Sequence, residues 1–369
     1  MFCGTEEGPV VQNRTWELWI GSYAKPDEAG ITRVEMDAAT GEWVKTAEYG
    51  GIENPSFLAM NRDGSVLYAV SETMETDGQP GGRMIAYPVA PDMRKLEAGW
   101  ERLTHGAAPC HLMLDPEERW LAVANYAGAA VTLYPLHTDG KPGEAMVRLR
   151  HAGSGPNPQR QEAPHPHAAV FGPEGGQYLF VPDLGLDHVM IYKQGEGGSE
   201  WTGHGTAPLS PGDGPRHLAF HPDGRSAYVV NELSNTITRF SYPEPGKLQR
   251  EETLSTLPAG FTGESTCAEV AVSPDGRFVY VSNRGHDSIA IFQINASTGQ
   301  LEAAGHVSTR GRNPRHFTLT PDGEWLIAAH QDTNNLVLFR LDKQSGLPIY
   351  QGVELSVNKP VCVLIRLLE

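Results

Sequence analysis

The stretch from Gly214 to Glu232, GPRHLAFHPDGRSAYVVNE, reads as two short strands, PRHLAFH and SAYVVN, joined by Pro222-Asp223-Gly224-Arg225. In such a turn proline presets φ and glycine accepts positive φ. Strands joined so tightly run antiparallel, which sets Arg216 and His217 beside Asn231 and Glu232. The hairpin therefore carries its charge at its open end.

Close relatives of this hairpin recur along the chain. Aligned on the turn, a proline precedes the first strand at Pro55, Pro109, Pro166, Pro215 and Pro314, with Cys267 standing in once and Pro360 opening the last strand, PVCVLIRL. The spacings are 54, 57, 49, 52, 47 and 46 residues, a period of about 50 that belongs to propeller blades or long solenoid repeats. Each period holds a turn, a strand such as VLYAVS or FVYVSNR, a third run such as ITRFSY or IAIFQI, and a weaker fourth run. Four strands per repeat is the make-up of a propeller blade. Glu17 to Tyr23 looks like a second strand without its partner, and the segment after Pro360 like a first strand without its own. Pairing them gives a seventh blade, closes the ring and removes its free edges. The expectation is an all-β, seven-bladed β-propeller of four-stranded blades over residues 16–369, behind an N-terminal extension of residues 1–15. Pro91 to His105 has room for one helical turn.

The formal net charge of −16 argues against nucleic acid or an anionic membrane as partner, because both need a basic face. A small anionic substrate stays compatible if arginines gather locally. Cys3, Cys110, Cys267 and Cys362 are scattered, form no CxxC pair and read as reduced. The first residues are acidic and lack a signal-peptide apolar run, and no stretch has the length of a membrane span, so a cytoplasmic protein is expected.

In a propeller the first strand of each blade lines the channel, so the open ends of the hairpins ring one mouth. One residue after the repeat proline stand Ser56, Cys110, His167, Arg216, Ala268 and Arg315, followed by Phe57, His111, Ala168, His217, Glu269 and His316. The opposing strand ends supply Glu72, Asn125, Asp183, Asn231, Glu232, Asn283, Arg284, His330 and Gln331. Burying so many ionisable and amide groups is costly unless they are paired or meet water and ligand, which points to a charged pocket. Any one of them can equally close a turn or pin two blades together.

Other motifs carry less. His165-Pro166-His167 has the HxH spacing of some metal sites, but a strand would show both rings on one face whatever their role, and no third ligand is specified. No metal and no organic cofactor is expected. Gly153-Ser154-Gly155 lacks the full GxSxG elbow, Gly195 to Glu200 reads as a loop, and alternating strand faces would separate Cys110 from His111.

Four pieces carry a family resemblance: PHPHAAVFGPEGGQYLFVPDLGLD (164 to 187), GPRHLAFHPDG with VVNE (214 to 232), VSPDGRFVYVSNRGHDSI (272 to 289) and NPRHFTLTPDG with AAHQ (313 to 331). In that order and spacing the chain, from about Trp16 onward, resembles the seven-bladed propeller lactonases, which include the bacterial propeller-type 6-phosphogluconolactonase and the fungal carboxymuconate-lactonizing enzyme. The resemblance implies a lactone ester opened or closed at the channel mouth without metal or cofactor. Carried over by motif, it implies a catalytic quartet of His167, Arg216, Glu232 and Arg284, all already on the ring. Glu232 or His167 is then the base, and Arg216 or Arg284 faces the oxyanion. Around the quartet, His111, Asn125, Asp183, His217, Asn231, Asn283, Arg315, His316 and Gln331 are the substrate-binding candidates. The expected reaction is hydrolysis of 6-phosphogluconolactone. A muconate cycloisomerase, a calcium-dependent lactonase and a protein-binding propeller remain as alternatives, the last disfavoured because the WD signature is absent.

Overall fold

The computed structural model describes residues 14–89 and 96–368. Seven four-stranded antiparallel sheets make up the molecule, and among the described residues there is no helix. Blade 4 is representative, with strands Pro215–Phe220, Ser226–Asn231, Thr236–Glu244 and Lys247–Ser255 in order from the channel outward. The ring closes as the repeat count predicts. Pro360–Leu368 forms the inner strand of a sheet whose other strands are Thr15–Ser22, Ile31–Asp37 and Trp43–Tyr49. The register runs from Thr15↔Leu368 to Gly21↔Cys362. Gly21 is needed there because a Cβ would run into the carbonyl of Pro55.

The core lies between the blades. Along Thr15–Ser22, Trp16, Leu18 and Ile20 pack on Trp325, Ile327 and Ala329 of blade 6, while Trp19 turns the other way onto Leu58, Leu67 and Ala69 of blade 1. Period-2 alternation thus feeds both neighbours, which is why second strands such as Val66–Ser71 and Trp120–Asn125 are buried along their whole length. Each aliphatic side chain so buried is worth about 1.5–3 kcal/mol against exposure.

Two details depart from the sequence expectation. Blade 1 carries a small extra hairpin, Glu75–Thr76 with Gln79–Pro80, between its second and third strands. Of the segment expected to hold a helical turn, Trp100–Leu103 is a strand, and residues 90–95 lie outside the described residues, as do most of the N-terminal extension and Cys3. Cys110, Cys267 and Cys362 are free thiols in the interior. No helix of the described residues is long and apolar enough to cross a membrane.

Candidate active site

At the mouth the inner strands do not alternate cleanly. In blades 2, 4 and 6 the pairing passes from Pro109↔Asn125 to His111↔Ala124, from Pro215↔Asn231 to His217↔Val230, and from Pro314↔His330 to His316↔Ala329. One extra residue is inserted each time, a β-bulge that turns two consecutive side chains to the same side. Arg216 with His217 and Arg315 with His316 accordingly line one small cavity with Ser56, Phe57, Glu72 and Cys110. Cys110 and His111, expected to be kept apart by alternating faces, take different neighbours. Cys110 Sγ lies 3.8 Å from His167 Nδ1, and the His111 ring sits 5.5 Å from that of His217. Burial pushes the Cys110 thiol far up, so it is not a nucleophile at neutral pH.

The upper layer is organised around Glu232, the residue after the second strand of blade 4. Its carboxylate accepts from Arg160 Nη2 at 2.6 Å, and lies 3.0 Å from Arg284 Nη2, 3.2 Å from Arg216 Nε and 4.0 Å from His167 Nε2. Burial alone would raise the pKa of Glu232, but Arg284, Arg216 and Arg160 outweigh it and hold the group at about 2. A carboxylate that acidic is a poor base. His167 is different: burial, then its neighbours Arg216, His217 and Arg315, push its pKa well below 6.5, so the ring is neutral and has a bare nitrogen to accept a proton. For Arg216, burial followed by Arg315 and Arg284 lowers the pKa to about 10.

Two guanidinium groups are left with donors to spare. Arg216 Nη1 donates to the carbonyl of Ala268 at 2.6 Å and Arg284 Nη2 to that of Cys267 at 2.7 Å. Nε of each is buried without a hydrogen-bond acceptor among the described residues, and the 3.2 Å approach of Arg216 Nε to Glu232 is an ion pair off the hydrogen-bond angle. Arg315 makes no hydrogen bond or ion pair to a described residue. Its guanidinium lies over the ring of Tyr23, 5.3 Å from the centroid, while Tyr23 donates its hydroxyl to Glu72 at 3.1 Å. Arg160, Arg216, Arg284 and Arg315 against Glu72, Glu232 and the Glu269 carboxylate of the floor leave the mouth with one cation in excess.

The remaining expected residues fall into two groups. His111, His217 and His316 form a floor beneath the arginines, with Phe57 tilted against His111 at 4.3 Å and Glu269 within 3.0 Å of His217 and 3.3 Å of His316. Asn125, Asp183, Asn231 and Asn283 are corrected: each is fully buried and bonded within its own blade or to the end of the preceding one. Asn125 donates to the hydroxyl of Thr132, Asn231 to those of Thr236 and Thr238, and Asn283 to the carbonyl of Thr256, while Asp183 holds His151 and the amide of His165. They stand at or one residue before the end of the second strand, and after Asn125, Asn231 and Asn283 the next residue, Tyr126, Glu232 or Arg284, faces the mouth. His165 and His167 both meet the ring of Tyr126, at 4.3 and 5.3 Å, but lie beside different carboxylates. His165 stacks on Tyr126 at 4.3 Å and bonds to Glu162, away from Glu232. Among the described residues no three His, Cys, Asp or Glu side chains converge as metal ligands.

Sequence reasoning missed Arg160, Tyr126 and Tyr23. The last two were open to discovery, because they stand at the register of Glu232 in their own blades. Arg160 comes from the long connection before blade 3, which has no counterpart in the repeat.

Comparison with known proteins agrees with this architecture. Residues 17–365 match the family described as lactonase, 7-bladed beta-propeller. The 6-phosphogluconolactonase of Bacillus subtilis strain 168 is 37% identical over 346 residues, covering 94% of this chain and 97% of that protein. The 6-phosphogluconolactonase of Formosa agariphila is 32% identical over 349 residues, covering 92% and 97%. Among solved structures, the periplasmic gluconolactonase PpgL of Pseudomonas aeruginosa superposes with a TM-score of 0.88 at 31% identity, covering 96% of this chain and 99% of that one.

Proposed function

The chain belongs to the seven-bladed β-propeller lactonase family, and from that premise we propose that its channel mouth hydrolyses 6-phosphogluconolactone to 6-phosphogluconate. The observation that carries the reading is the cation excess at the mouth of a chain whose formal net charge is −16. Such a site draws in an anion that the rest of the surface repels. The neutral His167 takes a proton from water as the oxygen attacks the lactone carbonyl, and Glu232 stabilises the imidazolium that forms. The free donors of Arg216 and Arg284 receive the oxyanion. As the tetrahedral intermediate collapses, the ring C–O bond breaks, and the departing alkoxide recovers the proton from His167 to become a hydroxyl. Arg315, which forms no ion pair with a described residue, holds the phosphate. We assign the protein to the cytoplasm, where phosphorylated sugars are retained.

Turnover of 6-phosphogluconolactone, gluconolactone and a carboxymuconate by the purified protein tests this. The phosphorylated lactone should give the highest kcat/KM, and His167→Gln should lower kcat by about 10²- to 10⁴-fold. Arg315→Met should raise KM for the phosphorylated substrate more than for gluconolactone. Preference for the carboxymuconate, or equal use of the two sugar lactones, would overturn the substrate assignment.

A further inference from the structure

On the channel floor each hydrogen can be assigned from its partner. The amide of Val363 donates to His316 Nδ1 at 3.3 Å, so that nitrogen is bare and the ring proton sits on Nε2, 3.3 Å from Glu269 Oε2. His217 has the opposite arrangement. Its Nε2 faces Nη1 of Arg216 at 3.3 Å, and a guanidinium only donates, so Nε2 is the acceptor and Nδ1–H points at Glu269, 3.0 Å from both oxygens. Glu269 also accepts from the amide of Val270 at 3.0 Å. An ionised carboxylate, which only accepts, fits all three donors and fixes both tautomers.

The consequence reaches Arg216. Its Nη1 carries two hydrogens, one donated to the carbonyl of Ala268 and the other to His217 Nε2. The guanidinium plane is thereby pinned from blade 5, by Ala268 directly and by Glu269 through His217. Nε and Nη2 remain for the mouth. Were His217 protonated on Nε2, two donors would face each other and the guanidinium would have to turn.

We propose that Glu269 is a positioning residue for lactone opening, which holds His217 in its Nδ1–H tautomer and so aims Arg216 at the oxyanion without touching substrate. This rests on the lactonase reading above. A glutamine at 269 can donate to His217 Nδ1 and release the tautomer, so Glu269→Gln should lower kcat by about 10- to 100-fold, the usual cost of losing a supporting partner, with KM within about threefold. Nitrogen-15 spectra of the histidine-labelled full chain should show His217 bare at Nε2 in the unmodified protein and mixed in the variant. His217→Gln, whose amide oxygen can accept from Arg216, should keep a larger share of kcat than His217→Leu. The proposal is overturned by wild-type kcat in Glu269→Gln, or by lost kcat with an unaltered His217 spectrum. If Glu269→Gln does not fold, the His217 pair decides, and equal losses refute the proposal. The tautomer is read without substrate, so Nε2–H in the unmodified protein refutes it whatever lactone is opened. Nδ1–H with no lactone opened supports the positioning geometry and instead removes the function proposed above.

Discussion

Two buried carboxylates in this molecule sit among arginines, and they differ in what the arginines have left over. Glu17, in the closing blade, accepts from Arg33 Nε at 2.6 Å and from Arg366 Nε, and Arg33 is further engaged by Glu35 at 2.8 Å and Thr46 at 3.0 Å. Two cations meet two anions there. Among the described residues Glu232 is the one carboxylate paired with Arg160, Arg216 and Arg284, and Nε of the last two has no hydrogen-bond acceptor. A buried donor left unmade costs about 1–3 kcal/mol, so a cluster that only pinned blades would gain by supplying another acceptor. The first cluster ties the N-terminal strand to the C-terminal one; the second holds donors in reserve for an anion.

The contrast predicts opposite mutant signatures. Arg216→Met and Arg284→Met should each lower kcat per folded molecule by about 10²- to 10³-fold, the cost of an oxyanion donor, beyond anything a change in melting temperature accounts for. Arg33→Met should leave kcat per folded molecule intact and lower the melting temperature. Stability loss alone in all three variants would make the mouth a second structural pin.

Acid sharpens the comparison. Burial raises the pKa of Glu17, but hydrogen bonds and charge from Arg366 and Arg33 bring it below 4.5, and Glu232 is held at about 2. A carboxylate whose folded pKa is depressed contributes stability that is present above its unfolded pKa and lost as pH falls through the folded one. Glu17→Gln should therefore lower stability at pH 7 and flatten the loss of stability below pH 4.5, read by denaturant titration at each pH. The rate should follow another group. His167 must be neutral to act, and its pKa lies well below 6.5, so kcat/KM should stay level through pH 6.5 and fall only beneath it. An acid limb above pH 6.5 would remove His167 as the base.

The blades were legible because the proline, the turn and the all-buried second strand repeat in fixed order, and ring closure followed from two orphan strands. Residue choice at the mouth was legible only to within one position. Side chains alternate in a strand, so Asn231 and Glu232, adjacent in sequence, face blade and channel respectively, and the amides resemble site residues by type alone. The bulges that bring Arg216 and His217 to one side have no residue signature in the PRH motif itself. Arg160 had no signal in a repeat-based alignment, because it lies in a connection that the other blades lack.

Arg160 also provides the smallest predicted effect. Its side chain is 40% exposed, while those of Arg216 and Arg284 are 4% and 13% exposed, so water screens its charge most of the three. It reaches Glu232 from a loop held by Gln161, whose amide donates to the carbonyl of Leu184 and to Asp187 at 2.8 Å, and Asp187 in turn accepts from the amide of Gly214, two residues before Arg216. The loop thus keeps its place when the arginine side chain is lost. With Arg216 and Arg284 still on Glu232, removing Arg160 takes away one peripheral cation and leaves the oxyanion donors where they are. Arg160→Met should then raise KM for an anionic lactone by about three- to tenfold, roughly 1 kcal/mol after screening, with kcat nearly unchanged and the effect shrinking as salt is added. A fall in kcat as large as that of Arg284→Met would place Arg160 beside the reacting carbonyl, and the division between inner donors and an outer, solvent-screened cation would have to be given up.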